Sequence, residues 1–322
     1  MEIVLSMITK NSLEKVKEFE EVWTSSLQVP YDLIILVDDS DSDKTREFVK
    51  KFAEEHNKEL VIVRSRLYNW HKPTRATARQ TAIDIFFQNT SAEWLFFLDD
   101  DVILRSGWWD EARIHMGDAR VGLIWGIDYT DRWIKRLKYF QVRGLDYIEY
   151  SIRNFSIRGG LHDTLLRRSA IKGVELPPWL NVYEDAWIKR YVECLGYMWR
   201  VVKAGATHLR ADWETGYSPL DAKISVYADA ILRLQPATLG KLLKALFGLP
   251  AYLYYGLRSG SNGWDIWKSR FSYRYSLLIA SNKCRFNPCE VVINYGRDPT
   301  IKRQVDNCVY NIFKDQTTKR IE

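Results

Sequence analysis

Asp99, Asp100 and Asp101 stand side by side in "WLFFLDDDVIL", between one apolar run, Trp94 to Leu98, and another, Val102 to Leu104. Adjacent carboxylates repel one another unless solvent, cations or a bound metal neutralises them. Asp99 and Asp101, spaced as Asp-x-Asp, can hold Mg²⁺ or Mn²⁺ through hard oxygen ligands and leave coordination positions open for a diphosphate. The competing structural reading is that acids at a strand end cap a turn or the next helix. Two further acid pairs invite the same comparison. Asp38 and Asp39 close the apolar run "LIILV", and Glu184 and Asp185 stand in "YEDAWIKR", where the first turn of a helix would also favour acids.

Such groups act together only if the backbone gathers them. The five-residue run before Asp99 is too short to span a membrane and suits a strand buried on both faces, as in a parallel sheet. "EIVLSMITKNS", "YDLIILVDDSDSDKT" and "LVIVRS" read as three more strands. "SLEKVKEFEEVWTSSL" has apolar residues at helical spacing, "SDKTREFVKKFAEEH" is a helix capped by Ser42 or Asp43, and "TRATARQTAIDIFFQNT" is a helix leading into the Trp94 strand. This alternation predicts an α/β fold with a mostly parallel central sheet and helices on both faces. Ligands of such sheets bind beyond the carboxyl ends of the strands, where both the Asp38 and the Asp99 clusters fall. Further on, "GWWDEARIHM" predicts a helix and "VGLIWGIDY" a strand; "FSIRGG", "TLLRRSAI", "YEDAWIKRYVECLG" and "YMWRVVKAGATHLR" resume the strand and helix alternation.

In order and spacing, residues 1 to about 210 resemble the family 2 glycosyltransferases of the GT-A fold, a Rossmann-like architecture. "VLSMITKNS" resembles the family's opening nucleotide-binding segment, with Thr9 and Asn11, and "ILVDDSDSDKT" its Val-Asp-Asp-Gly-Ser-x-Asp-x-Thr signature, with Asp39 toward the donor base. Ser40 and Asp41 replace the usual Gly-Ser. "TARQTAI" resembles the Ala-Arg-Asn segment, which implies Arg79 near the donor diphosphate, with Gln80 in place of Asn; "FFLDDDV" resembles the Asp-x-Asp motif, leaving Asp100 to face the ribose or sugar. "YEDAWIKR" resembles the Glu-Asp of inverting members, which implies Asp185 as catalytic base and Glu184 beside the acceptor. The chemistry asks for such a base, because a sugar hydroxyl attacks well only as it loses its proton. "FSIRGGLHDTLLRRSAI" resembles part of the acceptor pocket, with Gly159 and Gly160 admitting a close ligand or simply forming a tight turn. His208 lies where some GT-A enzymes place a third metal ligand, and it has an equally ordinary structural reading; Asp212 and Trp213 are near enough to share that site. The resemblance thus implies a nucleotide-diphosphosugar donor, a glycan or polyprenyl-phosphate-linked acceptor and a divalent cation. The alternatives are a nucleotidyltransferase, a retaining glycosyltransferase, or a binding protein without turnover.

The chain has 322 residues, 46% hydrophobic and 27% charged, enough for one large core and an appendage. Its +6 charge is concentrated in residues 216–322, which hold 16 Lys/Arg against 8 Asp/Glu and read as helices: a helical, basic tail behind a catalytic domain of residues 1–215. In that tail the apolar run between Lys244 and Arg258 is broken by Pro250 and too short to span a bilayer. Together with Trp264, Trp267, Phe271, Tyr273 and Tyr275 among basic residues, it suits a membrane surface or a subdomain packed on its own aromatics. No nucleic-acid motif accompanies the charge. Cys194, Cys284, Cys289 and Cys308 lack the spacing of a zinc site and read as free thiols. With no secretory signal pattern after Met1, the chain is expected in the cytoplasm, peripheral on the inner face of the membrane if the tail binds lipid.

Overall fold

The computed structural model describes residues 2–129, 141–209 and 218–317; Asp212 and Trp213 lie outside them. The chain divides into two compact units, Met1–Asp131 with Gly159–Ala211, and Arg132–Arg158 with Asp212–Glu322.

The first unit begins with β1 (Ile3–Thr9), α1 (Ser12–Lys15), α2 (Phe19–Ser26), β2 (Leu33–Asp38), α3 (Lys44–Glu55) and β3 (Glu59–Val63). It continues with α4 (Arg75–Asn89), β4 (Trp94–Leu98), β5 (Val102–Leu104), α5 (Trp108–Met116) and β6 (Val121–Tyr129). After α6 (Tyr147–Arg158), which belongs to the second unit, it closes with β7 (Asp163–Arg167), α7 (Arg168–Ile171), α8 (Glu184–Cys194) and β8 (Met198–His208). The strands form one sheet in the order β3-β2-β1-β4-β7-β6-β8-β5. The first four are mutually parallel, β7 runs antiparallel to both β4 and β6, β8 is parallel to β6, and β5 is antiparallel to β8. Strand order reverses between β1 and β4, which makes their carboxyl ends the topological switch point at which ligands of such sheets bind.

Every residue of β4 is buried, as its unbroken apolar run predicts. Trp94, Phe96 and Leu98 join Leu5, Met7, Ile34 and Leu36 against Trp23 of α2, Phe52 of α3 and Trp108 of α5. Burying a side chain such as Phe96 is worth roughly 1.5–3 kcal/mol. Phe97 points to the other face, under α4, with the Arg79 guanidinium 4.5 Å from its ring centroid. α4 starts where it does because Thr74 and Thr77 form a reciprocal cap: Thr77 N–H donates to Thr74 Oγ1 at 3.1 Å and Thr74 N–H to Thr77 Oγ1 at 2.8 Å.

Three local expectations are corrected. "SLEKVKEFEEVWTSSL" breaks at Val16, whose extended backbone (φ −105°, ψ 111°) separates α1 from α2. "FSIR" ends a helix, α6, rather than forming a strand. Asp43 occupies the N-cap of α3 without a capping bond, because its carboxylate pairs with Arg46 Nη2 at 2.6 Å.

The second unit is helical: α6, α9 (Pro219–Leu232), α10 (Leu239–Phe247), α11 (Leu249–Ser259), α12 (Gly263–Lys283), α13 (Pro288–Asn294) and α14 (Pro299–Thr317). Val226 and Ala230 of α9 pack on Leu277 and Ala280 of α12. Buried Asp229 accepts from Gln235 N at 2.9 Å and from the Tyr273 hydroxyl. Cys284, at the end of α12, is bonded to Cys308 of α14, with Cα atoms 5.8 Å apart. The reading of free thiols is therefore corrected, and no cysteine is free. A separation of 24 residues carries no pairing signal; helix packing creates the contact.

Candidate active site

The strand ends bring most of the singled-out residues of the first unit to one edge. At the end of β1, Thr9 donates its hydroxyl to Asp38 of β2 at 2.7 Å. Asp38 is fully buried and also accepts from the Ser40 hydroxyl. Asn11, in the left-handed region at φ 57°, donates its N–H to Ser40 Oγ at 2.6 Å and accepts Asp41 N–H at 2.9 Å. Ser40 and Asp41, the departures from Gly-Ser, thus clamp the β1 and β2 loops together. Asp39 turns the other way and accepts from the N–H and hydroxyl of Ser65, at 3.1 and 2.5 Å. Asp100 accepts from the Ser12 hydroxyl.

Arg79 is buried on α4 and forms an ion pair with Asp99. Its Nε and Nη1 are buried and find no hydrogen-bond partner among the described residues. Burial would raise the Asp99 carboxyl, but the positive charges of Arg79, His208, His162 and Arg75 outweigh it and hold the group at about 2. The next helical residue, Gln80, is structural: it accepts Leu176 N–H at 2.9 Å and donates to Val174 O at 3.3 Å, pinning the loop that leads to α8.

Asp101 lies across from β8, its Oδ1 3.3 Å from His208 Nε2. The other ring nitrogen of His208, Nδ1, is 3.7 Å from Asp128 at the end of β6. Burial works against protonating His208, but Asp101 and Asp128 hold its pKa well above the ordinary value. Its ring stacks on His162, with centroids 5.8 Å apart. Behind them Asp163 is sealed in the core, accepting from Trp108 Nε1 at 2.7 Å and from Gly126 N at 3.2 Å. Burial raises it to about 6, against the opposing pull of His162 and these donors. A Cβ on Gly126 would sit 1.9 Å from Asp163 Oδ2, so that strand position must be glycine for the carboxylate to enter. Among the described residues no three His, Cys, Asp or Glu side chains are gathered to hold a metal ion. Asp101 and His208 are close enough to share one; Asp99 is engaged by Arg79.

Glu184 and Asp185 open α8 after Tyr183, a non-glycine residue at φ 72°. Strained backbone of this kind persists where surrounding structure over-determines it, often at functional sites. Glu184 is buried, and burial together with the charge of Asp185 pushes its pKa up, while Arg75 and Arg79 pull it down. Asp185 is half-buried. Gly159 (φ 82°) runs against this turn: a Cβ there would lie 2.9 Å from Asp185 O, and one on Gly160 would lie 2.7 Å from Trp125 Nε1. Both glycines therefore serve close backbone approach to the start of α8 and to Trp125. Asp128, His162 and Asp163 were not singled out in the sequence, although "IWGIDY" is another apolar run ending in an acid.

Residues 6–171 match the family model of Glycosyl transferase family 2, just over half of the chain. The chain belongs to glycosyl transferase family 2. This glycosyltransferase has the GT-A fold, and solved structures share it. The mannosyltransferase PcManGT from Pyrobaculum calidifontis, in complex with GDP-Man and Mn²⁺, aligns over 97% of this chain and 87% of its own at 14% identity and a TM-score of 0.50. S. aureus TarS 1-349, in complex with UDP-GlcNAc, aligns over 98% and 81% at 13% identity and a TM-score of 0.51. Against a longer S. aureus TarS structure the coverage is 95% of this chain and 55% of that one, at 14% identity and a TM-score of 0.51. No curated protein matches the family 2 chain in sequence.

Proposed function

We propose that this family 2 glycosyltransferase is a metal-dependent, inverting, hexosyl-transferring enzyme that moves sugar from a nucleotide-diphosphosugar to a glycan or lipid-linked acceptor. The observation that carries this reading is Arg79, buried at the sheet edge, paired to Asp99 and with two nitrogens unbonded among the described residues. Orphaned buried donors are costly. A donor diphosphate would satisfy them, and a fixed guanidinium would offset the charge that collects on the leaving diphosphate. The ligands named in two fold relatives, GDP-Man with Mn²⁺ and UDP-GlcNAc, agree with that chemistry.

Thr9, Asn11 and Asp39 line the donor base and ribose side in this reading, and Asp100 faces the ribose or sugar. Asp101 and His208 would hold Mn²⁺ or Mg²⁺ beside Asp99; the carboxylate and imidazole set suits these ions, with diphosphate oxygens and water completing the shell. When bound, the cation supplies Lewis-acid neutralisation of the diphosphate. Asp185 takes the proton of the acceptor hydroxyl as its oxygen attacks the anomeric carbon on the face opposite the diphosphate, inverting configuration. Glu184, Gly159 and Gly160 border the acceptor. A polyprenyl phosphate acceptor would arrive already anionic and lean less on Asp185. No described helix is long and apolar enough to cross a membrane, so a lipid-linked acceptor would be met at a surface.

The test is release of nucleoside diphosphate from common UDP- and GDP-sugars, with glycan or lipid-linked acceptors, with and without Mn²⁺. Proton NMR of the product gives the anomeric configuration. Metal-dependent release with inversion is expected. Absence of release from every donor, or a retained configuration, would sink the reading.

A further inference from the structure

The helical unit wears an apolar stripe on its outside. Leu239, Leu243, Leu246 and Phe247 recur at helical spacing on α10 and are exposed, Phe247 at 74%. Leu253, Tyr254 and Leu257 extend the apolar surface on α11, with Leu257 at 84%. A surface helix ordinarily buries such a stripe. Here the inward contact of α10 is made by small Ala245, whose carbonyl accepts Trp267 Nε1 at 2.9 Å.

Beside the stripe is a cavity of about 290 Å³ lined by five cations: Arg143, Lys241, Lys244, Arg270 and Arg274. Among the described residues no carboxylate lines it. The chain carries no Asp or Glu between Asp229 and Asp265, the stretch that includes all of α10 and α11. Lys241, Lys244, Arg270 and Arg274 make no ion pair with a described carboxylate. The walls are nonetheless set in place. Arg274 donates to Gln235 Oε1 at 2.7 Å, and Arg143 lies 5.7 Å from the Tyr255 ring centroid. Lys241, Lys244, Arg270 and Arg274 around one cavity repel one another unless an anion enters, and phosphate is the anion that Arg and Lys clusters bind best.

An apolar stripe alone would leave its occupant open, but cations rim this one and acids are missing from it, which selects an anionic lipid surface. We propose that α10 and α11 lie in the interface of a membrane, with their apolar stripe in the acyl boundary and the phosphate headgroup of an anionic lipid in the five-cation cavity. At 9 and 11 residues these helices are too short to span, and they suit an in-plane position. The inference is independent of the donor chemistry, because it is read by binding rather than turnover.

The test is flotation of the full chain with phosphatidylcholine vesicles and with vesicles that also contain phosphatidylglycerol. Two variants accompany it, Leu243→Glu with Phe247→Glu for the stripe and Lys244→Ala with Arg270→Ala for the cavity, each checked by circular dichroism and melting. The wild type should float only with the anionic vesicles, and each variant should lose that retention by about tenfold or more while melting normally, since each added kcal/mol and a half of interfacial contact is worth a factor of ten. Four results would overturn the proposal: no flotation, equal flotation on both vesicle types, flotation unchanged in both variants, or calorimetric binding of free inorganic phosphate as tight as binding to vesicles. Concentration-dependent dimers that Leu243→Glu with Phe247→Glu disperses would instead assign the stripe to a second copy of the chain.

Discussion

Arg79 of α4 and Asp99 at the end of β4 form an ion pair, with the guanidinium seated 4.5 Å over the ring centroid of Phe97. The arrangement leaves Nε and Nη1 of a rigid fork buried and unbonded among the described residues, and a lysine there would keep the charge but lose the fork. Arg79→Lys should lower kcat about 10²–10³-fold, the range typical of losing one stabilising donor at a developing negative charge. Steady-state kinetics with a saturating donor would show it; a variant with unchanged kcat would remove Arg79 from the leaving-group role.

Asp185→Asn keeps the size of the side chain and removes its basicity. Turnover on a hydroxyl acceptor should fall about 10²–10⁴-fold, with donor affinity by calorimetry unaltered. Undiminished turnover with donor binding intact would count against the base role, unless the acceptor proves to be a phosphate.

Asp128 stands behind His208, 3.7 Å from Nδ1, on the side away from Asp101. A partner in that position orients the ring and raises its basicity. Asp128→Asn should therefore raise the Mn²⁺ concentration for half-maximal activity about 10–100-fold. Mn²⁺ titration followed both by nucleotide release and by calorimetry separates this from general damage, which would lower activity at every metal concentration.

Asp163 supplies a pH signature. Burial lifts its folded-state pKa to about 6, above the ordinary carboxylate value. The protonated group therefore favours the fold: its contribution is complete below about pH 4 and is lost as pH rises through about 6, with a span of order 3 kcal/mol. Asp163→Asn cannot ionise, so the decline of melting temperature that this group adds between pH 4 and 7 should flatten. Calorimetric scans across that range would check it, and identical slopes for both proteins would show that Asp163 does not titrate there.

The strands that carry the donor side were legible because each is a local pattern: "LIILV" and "WLFFL" are continuous apolar runs closed by acids, and "TRATARQTAIDIFFQNT" reads as the helix α4 that leads into the second of them. What was not legible depends on partners far away in the chain. "DTLLR" gives no hint that β7 enters antiparallel between β4 and β6. That insertion brings His162 beside His208 and buries Asp163 beside Trp108, contacts that span 46 and 55 positions and leave no local trace. The break at Val16 escaped for a related reason. Ser12 at the head of α1 bonds Asp100, so the start of the first helix answers to an acid in the turn between β4 and β5 as much as to its own apolar spacing. The Cys284–Cys308 bond likewise follows from how α12 and α14 meet, which the cysteine count alone does not show.

Gly126 and Asp163 occupy a single volume: the carboxylate fills the space where any β-carbon at position 126 would have to go. Position 126 cannot drift by itself through descent. A side chain gained at 126 requires the acid to be surrendered, whereas an acid kept at 163 holds the glycine fixed. Across homologous genes a lineage that has replaced Gly126 should therefore have replaced Asp163 as well, and will have lost the pH response that goes with the acid.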